Sequence, residues 1–334
     1  MTFKCPIVKI DKLEKHPNAD TLDVATIGGY QCIVKSGTCW KGQYVVYIPA
    51  DALLPTWLLR HLGFWDEAKG KGTLHGPLGN RVKPIRLRGV LSEGVILKVL
   101  ARLNEGGKDM AAALGITKYE VPVPVTMAGQ TYRVPEWASK LECNIPKWDL
   151  ENIKGQMWLF NEGEPVFVSE KLHGTQCVIG RVAGNWFVTS KGLHKKGLFI
   201  KDGQEGNLYV GALNEVRAKL SEGEDDFVLY GEIVGPGVQD LTYGFDKPTF
   251  ILFAMWTPER GLYPVNWSGT DILFAPSTHG DVPFNYESLM RNIYGPSAFG
   301  GLKEGWVIWS ADRKRVAKMI NPDYLTRKGG TEWN

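Results

Sequence analysis

Leu22-Asp23-Val24-Ala25-Thr26-Ile27-Gly28-Gly29-Tyr30-Gln31-Cys32-Ile33-Val34 reads as two strands joined at a Gly-Gly turn. β-Branched and aromatic residues fill both arms, and glycine accepts the backbone angles of a tight hairpin turn. Working outward, residues 3–10, 44–48, 82–88 and 94–100 carry further short strand patterns. The stretch 57–80 between them is rich in Gly and Lys and reads as a long excursion.

About five short strands with little helix fit a small closed barrel, of which the OB-fold is the commonest. The chain has 334 residues, and at roughly 150 residues per domain that suggests two domains. Asp109 to Leu114 reads as a short helix capped by Gly115, and Val121-Pro122-Val123-Pro124 as a stiff, extended connection. The expected organisation is an N-terminal module over 1–120, a linker over 121–145 and a second domain over 146–334.

Hydrophobic residues make up 43% and charged residues 22% of the chain, as in ordinary globular protein. No run reaches the ~20 apolar residues of a membrane span, and the first residues lack the apolar core of a secretory signal. A cytoplasmic protein with no membrane partner is the expectation. Five scattered cysteines without a Cys-x-x-Cys pair argue for reduced thiols. A net charge of +3, from 39 basic and 36 acidic residues, does not by itself point to nucleic acid.

The second domain resumes strand patterning. Residues 165–171 form a strand ending near Gly174, and 176–182 with 185–190 form a hairpin about Ala183-Gly184. Leu213, Val216 and Leu220 mark a helix over 211–220, and strands follow at 227–235, 250–255, 306–309 and 315–320.

The sharpest chemical feature is Glu170-Lys171-Leu172-His173-Gly174-Thr175. A lysine late in an apolar strand makes sense as a nucleophile whose amine is tuned by burial or a metal, with the glycine letting a phosphate approach. With 39 glycines in the chain, Lys-x-x-Gly also arises by chance, and read alone the spacing favours a strand-end lysine paired with a carboxylate. Glu232 interrupts an apolar strand, where a carboxylate is costly unless it binds something. Phe253 offers a face for stacking on a base, although read alone the stretch favours simple core packing. Glu304 precedes another apolar strand, and Lys318 ends a basic run that by itself reads as a solvated face. Two carboxylates, an aromatic and two strand-borne lysines make a kit for a nucleoside triphosphate with a divalent metal.

In order, Lys171-x-x-Gly174, Ser190-Lys191-Gly192, Gly231-Glu232, Phe250-x-x-Phe253, Glu304-Gly305-x-Val307-Ile308 and Lys318 resemble the covalent nucleotidyltransferases: DNA ligases, RNA ligases and mRNA capping enzymes. Lys147-Trp148-Asp149-Leu150-Glu151-Asn152-Ile153 looks like the segment preceding the catalytic domain of RNA ligases. Arg86-Leu87-Arg88-Gly89-Val90-Leu91-Ser92-Glu93-Gly94 and residues 114–122 are similar to the Deinococcus-type RNA ligases (RNA ligase family 5). Residues 9–22 also resemble the tRNA-binding OB domain of some synthetase-associated proteins.

The resemblance implies an α+β protein: an OB-fold β-barrel module followed by a nucleotidyltransferase (adenylation) domain of antiparallel sheets. It implies an ATP-dependent RNA ligase using Mg²⁺ or Mn²⁺, acting as a monomer on RNA with 3′-OH and 5′-phosphate ends, at nicks in duplex nucleic acid. Lys171 would become Lys-AMP. Glu170 and Phe253 would contact adenine, and Glu232 the ribose and metal shell. Glu304 would hold metal through water, and Lys318 the α-phosphate. Lys147, His173, Gly174 and Lys191 complete the expected nucleotide set, and Lys83, Arg86 and Arg88 are candidate RNA contacts, with surface salt bridges the plainer alternative for the arginines.

Three departures from the family pattern stand out. Lys191 replaces the usual arginine, trading a planar fork for a point charge. His173 stands where some members have an acid, so it is expected to contact a phosphate instead. Lys318 lacks a second lysine two residues on, so it does both jobs or a group such as Arg315 compensates. A DNA ligase or GTP-dependent capping enzyme is the rival within the superfamily; both usually carry a further OB domain, whereas sixteen residues follow Lys318. A non-catalytic RNA-binding protein is the rival outside it, and retention of Lys171, Glu232 and Glu304 together weighs against that.

Overall fold

The computed structural model describes residues 3–98, 106–119, 129–135, 138, 149–220, 225–265 and 271–328. The expected stiff connection at 121–124 and the Lys147-Trp148 dipeptide lie outside them. The chain divides into two compact units, Met1–Glu120 with Ile153–Met157, and Val121–Asn152 with Trp158–Asn334.

In the first unit the hairpin pairs Leu22–Ile27 with Tyr30–Lys35 in antiparallel register, Ile27 opposite Tyr30. Gly28 takes φ 57° at the turn. Gly29 is obligatory for a different reason: a Cβ there would lie 2.6 Å from the Cα of Lys154. The N-terminal strand is bent. Lys12–Lys15 extends the hairpin sheet, whereas Ile7–Lys9 pairs with Tyr44–Pro49, which pairs in turn with Gly94–Lys98. The two three-stranded sheets therefore share one bent strand, the order expected of a small barrel. Their apolar faces bury Ile7, Ile10, Ala25, Val45, Val46 and Ile48.

The 82–88 pattern resolves into a separate small hairpin, Ile85–Leu87 with Val90–Ser92. The excursion contains a helix, Thr56–Leu62, closed by Gly63 at φ 76°. It buries Leu58 and Leu59, a two-residue stripe too short to show as helical periodicity. In the same unit Lys154 Nζ bonds Glu93 Oε1 at 2.7 Å, both side chains being under a tenth exposed.

Among the described residues the second unit has two antiparallel sheets. One has seven strands, in the order Thr131–Arg133, Leu198–Ile200, Asn185–Ser190, Thr175–Val182, Phe227–Val234, Thr249–Thr257, Gly261–Pro264. The other has four, in the order Val282–Pro283, Pro165–Lys171, Gly305–Ser310, Val316–Ile320. Side chains alternate across each strand, and the two sheets share an apolar layer. Val178, Phe187, Val228, Tyr230 and Trp256 from the larger sheet meet Phe167, Val307 and Trp309 from the smaller. The helix Leu208–Lys219 covers the opposite face of the larger sheet through Val210, Leu213 and Val216. It starts three residues before its apolar spacing suggests, because Asn207 Oδ1 accepts the backbone N–H groups of Tyr209 and Val210.

Candidate active site

The site sits where the shared layer turns from apolar to polar. Phe167 packs in the layer, so alternation carries Ser169 and Lys171 to the same side. Gln176 continues the side of Val178, and Glu232 that of Tyr230. Across the smaller sheet Ser169 faces Val307, which faces Lys318, and Lys171 faces Gly305. These residues line a cavity of about 260 Å³, with Glu304, Lys191 and Phe253 in its wall. The residues Lys171, Glu232, Glu304, Lys318, Lys191 and Phe253, separated by up to 147 positions in sequence, are thus brought to one place by strand pairing within each sheet and by the packing of the two sheets on each other.

Glycine makes the pairing possible. A Cβ on Gly174 would lie 2.1 Å from the Ile233 carbonyl oxygen, and one on Gly305 would lie 2.1 Å from that of Met319. Gly174 is thus required for close strand crossing, a role distinct from the phosphate approach read in the sequence. Its N–H also donates to Glu232 Oε1 at 3.1 Å.

Electrostatically the site is tightly coupled. Lys171 Nζ lies 2.8 Å from Glu304 Oε1. Burial, one of the two influences read in the sequence, does lower the Lys171 amine, but without a metal the Glu304 and Glu232 carboxylates outweigh it and hold the amine above the ordinary lysine range. Burial pushes Glu232 up to about 8 despite the opposing charge of Lys171. Burial, with repulsion from Lys171 and Lys191, brings Lys318 down to about 8.

Glu304 Oε2 is buried and has no hydrogen-bond partner among the described residues. A buried carboxylate oxygen left unpaired is costly, and it fits a water-bearing divalent cation, which needs few protein ligands. Glu304 and Glu232 are the carboxylates available to hold such an ion. Among the described residues no group of three or more His, Cys, Asp or Glu side chains forms a complete metal cage, so phosphate and water oxygens would supply the remaining ligands.

Other expected residues sit differently. Glu170 borders the cavity, but alternation turns its carboxylate away from Lys171; it accepts from Ser297 Oγ at 2.7 Å and the Ala298 N–H at 3.0 Å. His173 is outside the lining. Its Nδ1 lies 2.8 Å from the Tyr324 hydroxyl and its Nε2 2.9 Å from Asp240 Oδ1, while Arg327 pairs with Asp240 at 2.9 Å. Burial holds the imidazole below its ordinary pKa, so this histidine ties loop to helix rather than facing a phosphate. Arg315 pairs with Glu164 at 3.0 Å and donates to the Leu159 carbonyl, leaving Lys318 without that second cation. Lys191, at the start of the helix Lys191–Lys195 capped by Ser190, lies 3.2 Å from Asp149, which also holds Lys195 at 2.9 Å. Lys147 lies outside the described residues.

Sequence reasoning missed Gln176, Leu150, Trp309, Tyr324 and Leu325 in the cavity wall. Tyr324 and Leu325 come from the helix Pro322–Thr326, whose start is signalled by Asn321-Pro322: Asn321 Oδ1 accepts from the Asp323 N–H. That capping pair was the readable cue.

Comparison with known proteins follows this division. Residues 5–99 match a family model described as an OB-fold domain, and residues 164–320 match one described as RNA ligase. No curated protein sequence matches the chain significantly. A solved Naegleria gruberi RNA ligase with pyrophosphate is 24% identical, with a TM-score of 0.77 over 97% of this chain and 98% of that one. A variant of that ligase with ATP and manganese is 23% identical, with a TM-score of 0.78 over 97% and 98% of the two chains. Another variant, with AMP and manganese, is 22% identical, with a TM-score of 0.76 over 96% and 97%. The architecture is therefore an OB-fold module followed by an α+β ligase domain of mostly antiparallel sheets, similar over nearly its whole length to solved RNA ligases.

Proposed function

We propose that this chain is an ATP-dependent RNA ligase that works through a lysine-bound AMP. The observation that carries the reading is the convergence of Lys171, Glu232, Glu304 and Lys318 on one cavity, with a Glu304 oxygen left unpaired beside the Lys171 amine. The similarity of residues 164–320 to RNA ligases supports it, as does the presence of ATP or AMP with manganese in the Naegleria structures.

In the first step the Lys171 amine attacks the α-phosphorus of ATP, a phosphorus–nitrogen bond forms, and pyrophosphate leaves. Lys171 must first surrender a proton and its bond to Glu304. A bound divalent cation (Mg²⁺ or Mn²⁺) supplies charge neutralisation for the triphosphate. Glu304 would hold that ion, and with Glu304 so engaged only Glu232 would oppose the burial that favours the amine's neutral, nucleophilic form. Lys318 and Lys191 offset negative charge on the phosphates as it builds up. Phe253 stacks on the base, and Val307 and Trp309 keep the layer beneath it dry. In the second step AMP passes to a 5′-phosphate on RNA. In the third a 3′-hydroxyl attacks that phosphate, forming the phosphodiester and releasing AMP.

The preferred substrate is a nick in duplex nucleic acid, as in RNA repair by the Deinococcus-type enzymes that the N-terminal module resembles, and a monomeric cytoplasmic enzyme suits that work. Incubation with ATP and magnesium, followed by mass spectrometry, should show an adduct of about 329 Da, the mass of an adenylyl group joined to the amine. A panel of nicked duplexes with RNA or DNA on each side of the break then tests the sealing step. Label from GTP alone would mean a capping-type enzyme, and no label would mean a binding protein.

A further inference from the structure

Lys171 ends its strand, and Thr175 begins the next. Leu172-His173-Gly174 therefore carries the chain from the smaller sheet to the larger. A link so short passes any displacement on to the lysine beside it. The structure holds this link from several sides. The Tyr243 hydroxyl accepts the His173 N–H at 2.8 Å, and the Gln239 side-chain amide donates to the Gly174 carbonyl. Both side chains come from the segment joining Phe227–Val234 to Thr249–Thr257. Tyr243 stands at φ 54°, a backbone region that bulky residues rarely adopt, and a residue kept there is held by its surroundings.

The buried His173 ring is held separately. A carboxylate only accepts, so in the neutral imidazole Nε2 donates to Asp240 Oδ1 at 2.9 Å and Nδ1 accepts from the Tyr324 hydroxyl at 2.8 Å. Arg327 completes the network. Its Nε lies 2.9 Å from Asp240 Oδ2 and its Nη2 3.1 Å from Asp240 Oδ1. Nη1 donates to the Tyr324 carbonyl at 2.7 Å, and the guanidinium sits 3.8 Å from the centroid of the Tyr324 ring. Tyr324 and Leu325 line the nucleotide cavity, whereas His173, Asp240 and Arg327 do not. The helix that bears Tyr324 follows directly on Val316–Ile320, the strand of Lys318. One network thus joins the ends of the two strands that bring Lys171 and Lys318 to the cavity.

We propose that His173, Asp240 and Arg327 are positioning residues for lysine adenylylation. They lock the helix Pro322–Thr326 onto the Leu172–Gly174 link, so that the cavity wall and the attacking amine keep one alignment. The assignment rests on the RNA-ligase reading for the reaction; the lock itself is a property of the fold. A buried histidine bonded at both ring nitrogens would also serve stability alone. What points further is its place: it stands two residues from the attacking amine, and the tyrosine it holds is part of the cavity wall.

The test uses the full chain and two variants. Arg327→Gln removes the charged fork, and Tyr324→Phe removes the hydroxyl while keeping the ring. Single-turnover adenylylation of Lys171 is followed over a range of ATP concentrations with magnesium. In each variant the rate at saturating ATP should fall about tenfold, less than the ~10²-fold that an ångström of misplacement can cost, while the ATP concentration at half-maximal rate changes by less than about twofold. Arg327→Lys, which keeps the charge but not the fork, should recover part of the rate. Without nucleotide, hydrogen–deuterium exchange in Arg327→Gln should quicken over residues 172–176 as well as over 321–328. Faster exchange at 321–328 alone would mean that the lock does not reach the link, and would overturn the proposal. A lower unfolding midpoint with an undiminished saturating rate would overturn it too, leaving His173 a structural residue. A raised half-maximal ATP concentration with an unchanged saturating rate would reduce the helix to a binding wall and overturn the coupling to the amine. A parent that forms no adduct would overturn the ligase reading and this role with it, whereas an adduct in the parent with unaltered rates in both variants would overturn this role alone.

Discussion

Lys171 Nζ and Glu304 Oε1 are 2.8 Å apart, so the nucleophile of the proposed reaction rests in an ion pair with a residue that is also needed for metal. The pair stores the amine in its protonated form. Removing one partner leaves the other without its counter-charge at the cavity wall.

Lys171→Ala is expected to abolish the adenylyl adduct while leaving the circular dichroism spectrum unchanged. Persistence of the adduct on the variant, seen by intact mass, would remove the central assignment. Glu304→Gln should also lose the adduct, by at least ~10²-fold in rate, the usual scale for loss of an electrostatic contact at such a site.

The pH dependence has two limbs. Glu232, raised to about 8, ionises as pH rises through that value. Lys318, lowered to about 8, loses its charge over the same range. Where adenylylation needs the Glu232 carboxylate and the Lys318 cation together, kcat/KM for ATP, which reports the free enzyme, should peak near pH 8. Lys318→Arg replaces that amine with a group that stays charged and should carry the alkaline limb to higher pH. An alkaline limb unmoved in that variant would assign it to another group.

Gly174→Ala should cost about 1–3 kcal/mol, the usual range for overpacking, because the new methyl group meets the Ile233 carbonyl. Denaturant unfolding measures this directly. Loss of adenylylation without loss of stability would instead favour the phosphate-approach role first read in the sequence.

In the first unit, Lys154→Ala should destabilise by about 3–5 kcal/mol, since it strands the buried Glu93 carboxylate. Lys154→Met/Glu93→Leu should recover much of that loss. Equal loss in the single and double variants would mean that packing, not charge, dominates there.

The sequence revealed strands and chemistry better than orientation. Alternation and turn glycines located the central strands of both units, because those signals are local, but not the strands toward the sheet edges, Thr131–Arg133, Leu198–Ile200, Gly261–Pro264 and Val282–Pro283. Lys171, Glu232, Glu304 and Lys318 were legible as a set through their order along the chain. What joins them is the pairing of Ser169 with Val307 and of Val307 with Lys318, together with the packing of that sheet on the one that carries Glu232, and no local pattern encodes either. The same limit hid the partners of His173: Asp240, Tyr324 and Arg327 reach it from 67 or more residues away. Short helices such as Thr56–Leu62 and Pro322–Thr326 escaped because one or two turns bury too few side chains to set a period. Burial of Lys171 is visible in a strand pattern, whereas the two carboxylates that reach it from elsewhere in the chain are not.

Asp149 bridges Lys191 and Lys195 through its two oxygens. In the proposed reaction an incoming nucleotide would reach an occupied berth at Lys191 and would have to evict a tenant. A ligand with a single phosphate exchanges one carboxylate for little more than its equal, whereas a triphosphate brings charge to spare. On the proposed function, a preference for the longer tail would then be built into the resting state before any nucleotide arrives.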